Sequence, residues 1–396
     1  MAKKRKRKLK VGRVIFAIIL LLLGTSVIGV GIYKDKIFKP VVEEKVIYPD
    51  IPKPVVEESN VSLVMVGDSL IHSAVYQKAK KGNKYDFSPM FTEVKDIIKQ
   101  NELAFYNQET ILGGTELGLS SYPQFNSPYE VGDAFIDMGF NLVSLATNHT
   151  LDRGYGTKYK TIANSRAYWN KQEDVIAAGS YSTQEEKDEV IIKEKNGIKY
   201  GLLAYTTLTN GLVRPKGKDY YLDVYDAKLV KQDVEKLRDK VDLLVVSMHW
   251  GIEYSHGISK EQKTIAKYLS ELGVDVVVGH HPHVVEPIEW IDDTLVIYSL
   301  GNFISSQIGI ERLTGLMVQV DITKTIIDDK TYIKLSDTKA DLVYTCKPDV
   351  CGNYKIYPYN KLTNKILNGY KNYYKKYMNI VKSIEKDIEP IYSKNL

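Results

Sequence analysis

An α/β domain with a largely buried sheet is the fold class this sequence predicts, and three observations predict it. Short apolar runs recur through the middle of the chain, too uniformly apolar for strands with one wet face. Helical patterns with start and stop signals lie between many of them. Five of the runs end in residues of the kind that bind metals, and strand ends are where such folds place their chemistry.

At 396 residues the chain can form one large domain with appendages, or two domains. Its net charge of +5 suggests nucleic acid only at first sight. Met1 to Lys10 holds seven basic residues and no acid, and the remainder is near neutral or slightly acidic, so no nucleic-acid partner is expected. Val14 to Tyr33 is apolar and about long enough to cross a bilayer as a helix. Its basic flank stays in the cytoplasm, and no Ala-x-Ala cleavage site follows, which favours an uncleaved anchor over a signal peptide.

The expected organisation is therefore a basic cytoplasmic tail (1–13), a single-pass transmembrane anchor (14–33), a stalk (34–60), a globular domain on the extracellular side (61–325) and a C-terminal extension (326–396). The stalk is rich in proline and charge, and Lys39-Pro-Val-Val-Glu-Glu44 returns in it as Lys53-Pro-Val-Val-Glu-Glu58. Cys346 and Cys351 are five residues apart, a spacing that permits a small-loop disulfide once the chain has left the reducing cytosol.

Buried strands are predicted at Ser62 to Gly67, Leu103 to Tyr106, Asn141 to Ala146, Ile198 to Thr206, Val241 to Met248, Val274 to Val278 and Thr294 to Leu300. Ser88 as N-cap with Pro89 behind it opens a helix predicted through Gln100. Further helices are predicted over Val131 to Met138 and Thr157 to Trp169. The best marked is Lys260 to Leu272, with Ser259 as N-cap, Gln262 in the capping-box position and Gly273 as the stop. Beyond Thr325, Lys330 to Tyr359 is polar and strand-like, and Lys361 to Tyr392 reads as one basic, tyrosine-rich helix.

The chemistry-bearing residues sit at the run ends. Asp68 closes the first, with His72 four residues on; Asn107 and Glu109 close the second. Asn148 and His149 close the third, with Asp152 nearby; His249 closes the fourth. Gly279-His280-His281-Pro282-His283 closes the fifth and holds three of the seven histidines. A single Asp or Asn at a strand end is usually a turn residue. Five such endings are harder to dismiss, because parallel strand ends converge on one sheet edge. Mixed carboxylate, amide and imidazole donors suit Mn, Fe, Zn or Mg, and their number exceeds what one ion needs. Two ions about 3.5 to 4 Å apart are the arrangement used for displacement at phosphorus.

The ordered set Gly67-Asp68, Asn107-Gln108-Glu109, Asn148-His149, His249-Trp250-Gly251, Gly279 to His283, then Tyr298-Ser299-Leu300-Gly301-Asn302-Phe303 resembles the CapA-type poly-γ-glutamate capsule synthesis family over roughly Val61 to Val320. That family is similar in fold to the calcineurin-like metallophosphoesterases. The resemblance implies a four-layer α/β/β/α sandwich and a role in making or exporting an anionic polymer at the cell envelope. It also implies other membrane subunits of a polymer synthase or exporter as partners, and an anionic polymer or phosphoester as substrate. Carried onto this sequence, it makes Asp68, Glu109, Asn148, His249, His281 and His283 ligands of two divalent ions. His149 becomes the general acid, oriented by Asp152; His72, Asn107 and His280 are ligands or lie just behind them. Two departures leave ordinary phosphatase activity and the second ion open. Leu70 stands where such phosphoesterases place the histidine of Asp-x-His, and Glu109 replaces the usual bridging aspartate.

Two rivals compete with a metal-dependent hydrolase. A non-catalytic structural or export subunit of a synthase complex would use the same ligand types. A serine esterase is suggested by Gly67-Asp68-Ser69-Leu70, although no histidine has an aspartate three residues before it, as the base of such enzymes usually does.

Overall fold

The computed structural model describes residues 56–394 and 396. The expected tail, anchor and most of the stalk lie outside the described residues. Among the described residues no helix is long and apolar enough to cross a membrane.

The fold is mixed α/β. In chain order its main strands are Val56–Ser69 (β1), Leu103–Asn107 (β2), Leu142–Ser144 (β3), Ile176–Ala178 (β4), Lys193–Lys195 (β5), Ile198–Thr206 (β6), Leu243–His249 (β7), Val276–His280 (β8), Ile288–Ile291 (β9), Thr294–Ile297 (β10), Asn302–Ile304 (β11), Thr314–Ile327 (β12), Lys330–Cys346 (β13) and Lys355–Pro358 (β14). The first sheet runs β14-β13-β12-β1-β2-β3-β4, with β11 beside the end of β1; the second runs β9-β10-β8-β7-β6-β5. β1, β2, β3 and β4 are mutually parallel, as are β6, β7, β8 and β10. Each sheet therefore gathers several strand ends on one edge.

Why the runs are apolar throughout is visible in the packing. Leu63 and Met65 of β1, Val245 of β7 and Val276 and Val278 of β8 enter the core between the sheets. Their neighbours Val64 and Val66 face the helices outside the first sheet, and Val246 and Val277 face those outside the second. With a side-chain period of two and both faces covered, every position must be apolar. The outer helices include Ser73–Ala79 (α1), Lys95–Lys99 (α2), Glu130–Asp137 (α3) and Lys160–Trp169 (α4) on the first sheet, and Ala227–Leu237 (α5) and Lys260–Glu271 (α6) on the second. The capping box of α6 forms as expected: Gln262 N donates to Ser259 Oγ at 3.1 Å, and Ser259 N donates to Gln262 Oε1 at 2.8 Å.

Several expectations need correction. The helix predicted from Ser88 to Gln100 is a short 3-10 turn, Ser88–Met90, followed by α2; Phe87, not Ser88, occupies the N-cap. The helix predicted from Thr157 breaks because Lys158 and Tyr159 are left-handed, at φ 53° and 62°. That kink stacks Tyr159 on Tyr221. The stalk expected to reach residue 60 ends earlier, since β1 begins at Val56 and pairs with β12 from there.

The boundary expected at 325/326 falls inside β12, which continues to Ile327 and turns into β13. The C-terminal segment is therefore part of the first sheet. Of the long basic helix, Tyr370–Val381 (α7) forms, and its Tyr377, Met378 and Val381 enter the core between the sheets. Asp341 accepts from the backbone N of Tyr392 and Ser393, at 3.0 and 2.8 Å, and so pins the chain end. Cys346 and Cys351 form a disulfide.

Candidate metal centre

Backbone packing that only glycine permits brings the strand ends together. A Cβ at Gly67 would lie 1.8 Å from Gly301 O, and one at Gly279 would lie 1.9 Å from Tyr298 O. Asp68 consequently sits in register with Asn107 on one side and Asn302 on the other, while His280 of the second sheet is in register with His249.

Asp68, Glu109 and His283 are all buried and offer donor atoms within 4.8 Å of one another. Asp68 Oδ1 accepts from Asn107 Nδ2 at 2.9 Å and lies 3.2 Å from His280 Nδ1; its Oδ2 lies 3.3 Å from His283 Nδ1. Burial pushes the Asp68 carboxyl up, but the two histidines outweigh it and hold the group well below the usual range. Glu109 has no such support. Burial drives its carboxyl well up, and its nearest ionic partner, His283 Nε2, is 3.7 Å away. Burial pulls the His283 imidazole down, but the charges of Glu109 and Asp68 prevail and raise it to about 9.

A second chain of contacts joins the sheets. His249 Nε2 lies 3.0 Å from Asn148 Oδ1, His249 Nδ1 lies 3.4 Å from Asn107 Nδ2, and the His281 ring centre is 4.9 Å from that of His249. Burial and neighbouring imidazoles push His249 well down and His281 to about 3, which leaves both neutral, the form that binds metal. His281 and His283 have φ of 96° and 58°, values that cost a non-glycine residue on the order of 1–3 kcal/mol each. Their loop is held by Tyr254 N donating to Pro282 O at 2.8 Å and by the contact of His283 Nδ1 with Asn302 Oδ1 at 3.0 Å.

Beside this group, His149 Nδ1 is 2.7 Å from Asp152 Oδ2, which also accepts from Phe125 N at 2.6 Å. The pair lines a cavity of about 530 Å³ whose wall also includes His72, Glu253, Tyr254 and His283. No lysine or arginine is among its described lining residues. His72 is in the cavity wall but not in the three-residue group; its Nδ1 lies against Leu70 O at 3.1 Å, and burial pushes the ring down to about 4.

The residues present fit a cation. Buried and without hydrogen-bond partners are both carboxylate oxygens of Glu109, Asp68 Oδ2, Asn107 Oδ1, His281 Nδ1 and both ring nitrogens of His280. Each such orphan costs about 1–3 kcal/mol, and an ion with carboxylate, amide and imidazole ligands would satisfy several together. A serine esterase does not fit, because Ser69 is buried and its Oγ has no hydrogen-bond partner, whereas a nucleophile needs a base in reach.

Three residues of the site carried no role in the sequence reading. Asn302 bonds His283 and lies in the Tyr298 to Phe303 motif, so the signal was present. Glu253 follows His249 by four residues; Asn210, which accepts from Asn148 Nδ2 at 3.2 Å, lies in a loop without a pattern. His256, outside every motif, contacts Val285 O through Nδ1 at 2.7 Å.

Residues 62–307 match the family model for bacterial capsule synthesis protein PGA_cap. Among curated proteins the chain is similar to the PGA biosynthesis protein CapA of Bacillus subtilis (strain 168), 31% identical over 189 residues, 48% of each chain. It is also similar to the capsule biosynthesis protein CapA of Bacillus anthracis, 27% identical over 260 residues, 63% of this chain and 61% of that one. The matches thus span about half and about three fifths of those relatives. Among solved structures, a Staphylococcus aureus protein presented as a candidate 5'-nucleotidase, in complex with alpha-ketoglutarate, aligns with 76% of this chain and 54% of its own at 14% identity and a TM-score of 0.45. The family match covers more than half of the chain and contains Asp68, Glu109, Asn148, His249 and the 280–283 histidines, so this chain belongs to the bacterial capsule synthesis protein PGA_cap family.

Proposed function

We propose that this chain is a single-pass membrane protein, anchored by residues 14–33 with its tail in the cytoplasm, whose extracellular domain works in poly-γ-glutamate synthesis or export. Its domain is a four-layer α/β/β/α sandwich of the metallophosphoesterase type holding two divalent ions. Other membrane subunits of a synthase or exporter are its partners, as the family resemblance implies. One observation carries the metal reading: a buried Asp68, Glu109 and His283 with donor atoms within 4.8 Å, Glu109 having neither oxygen satisfied.

Asp68, Glu109 and His283, together with Asn148, His249 and His281, would hold the ions, with Asn107 donating to Asp68 and His280 beside it. When bound, the ions supply an activated water and neutralise the charge that develops on a phosphoester. The chain's own contribution is proton transfer. His149 gives its Nδ1 to Asp152, which fixes the ring and leaves Nε2 to protonate the departing oxygen. A non-catalytic subunit remains the second reading, favoured by the place of His72, which stands apart from the acidic group. His149→Ala separates the two. The full chain should keep its metal and lose phosphoester hydrolysis by about 10²-fold or more. Unchanged hydrolysis and polymer output would remove the general-acid role.

A further inference from the structure

Helix α7 and the segment leading into it carry a charge pattern unlike any other helix described above. From Lys361 to Ile384 there are six lysines and no aspartate or glutamate. Lys361 reaches Glu93 at 3.0 Å; the other five make no ion pair among the described residues. The two outer helices of the second sheet mix signs, with Lys231 near Glu235 and Lys236 near Asp233 on α5, and Lys267 near Glu271 on α6. On α7 no carboxylate offsets the like charges; among its described lysines Lys376 alone has a partner there, lying 5.0 Å over the Tyr377 ring.

The lysines are also aligned. Lys371, Lys375 and the half-buried C-cap Lys382, at spacings of four and seven, fall within about 40° of one another by helical spacing and form a row about 16 Å long. Lys376, Asn372 and Asn379 flank the row on the exposed side. Two local penalties go with it: Lys371 and Lys375 repel at i,i+4, and Lys371 lies in the first turn, at the positive end of the helix dipole.

The face opposite the row packs inward, towards the side of the domain that holds the metal cavity. On the opposite side of α7, the Tyr377 ring packs 5.7 Å from His256, two residues beyond the Tyr254 that walls the cavity. The cavity wall itself carries Asp152 and Glu253 and no lysine or arginine among its described lining, so side-chain cations for a long polyanion lie outside it. A bilayer headgroup fits this face poorly. Interfacial helices insert their apolar side, and here that side is in the core between the sheets.

We propose that the lysine row of α7 is a docking track for a linear polycarboxylate, on the outer face of a helix whose inner face packs on the domain core. The choice of polymer rests on the function proposed above; the track itself rests on charge and exposure. The test is binding of fluorescein-labelled poly-γ-glutamate to the full chain in phosphatidylcholine nanodiscs, at about 50 mM and about 300 mM salt. Replacing Lys371→Gln, Lys375→Gln and Lys382→Gln together should weaken binding about tenfold at the lower salt and flatten its salt dependence. The same three positions as Arg should retain binding. Neutralising Lys3, Lys4, Arg5 and Lys6 in the tail should change it less than about twofold. Three results would overturn the proposal: wild-type affinity in the triple Gln variant, loss of binding in the tail variant, or a triple Gln variant that loses phosphatidylglycerol vesicles and keeps the polymer. Lysine-dependent polymer binding by a chain that holds no metal would support the track and defeat the metal reading, so the two failures are distinguishable.

Discussion

The candidate metal centre and the C-terminal segment are built on opposite uses of polar sequence. At the centre, carboxylates, amides and imidazoles are buried, two histidines are held in left-handed backbone, and several polar atoms lack partners. In the C-terminal segment most lysines stand in solvent while tyrosines do the packing: Tyr359 and Tyr377 are almost wholly buried, and Tyr359 Oη lies 2.8 Å from Thr314 Oγ1. A polar stretch therefore says little about where its residues lie. In one region it marks buried polar chemistry, and in the other it hides part of the hydrophobic core.

The sharpest way to break this comparison is to treat the C-terminal segment as the appendage its composition suggests. Tyr377→Ala should instead destabilise the domain by about 3–5 kcal/mol, as other buried aromatic truncations do, read by denaturant unfolding. A loss below about 0.5 kcal/mol would mean that α7 is peripheral.

A smaller effect is expected at Glu286, buried between the histidine loop and α6. Its Oε2 accepts from Gln262 Nε2 at 2.6 Å, its Oε1 has no partner, and burial pushes the carboxyl up to about 8. A group whose folded value exceeds its unfolded one, near 4.5, keeps its proton longer in the folded state. Its stabilising share is whole below about pH 4.5 and is lost as pH rises towards 8, on the order of a few kcal/mol in all. Glu286→Gln should remove that part of the slope and leave the variant more stable than the parent at pH 8. An unchanged slope would show that Glu286 is already ionised at neutral pH.

Much of this was legible in the sequence, for physical reasons. The runs that became β1, β7 and β8 were readable because both faces of each sheet are covered, which forbids polar positions. The site was readable because parallel strand ends converge, so Asp68, Asn107 and His249 meet although distant in the chain. What escaped depends on contacts that no local pattern announces. The left-handed break at Tyr159 goes with a ring stacked on Tyr221, and the place of β13 follows from pairing with β12 along almost its whole length, where polar residues form an exposed ribbon. Asn302 was spelled in a motif, but its contact with His283 depends on β11 lying beside β1.

The central claim is that side chains from both sheets meet to hold metal ions. It is tested most directly by counting divalent ions on the purified full chain after incubation with Mn²⁺, beside the double variant Asp68→Asn and Glu109→Gln. The parent should hold stoichiometric metal and unfold at a higher temperature with it than after chelation, and the double variant should lose both the metal and the shift. A parent chain that takes up no ion, or a double variant that keeps the full complement, would contradict the account.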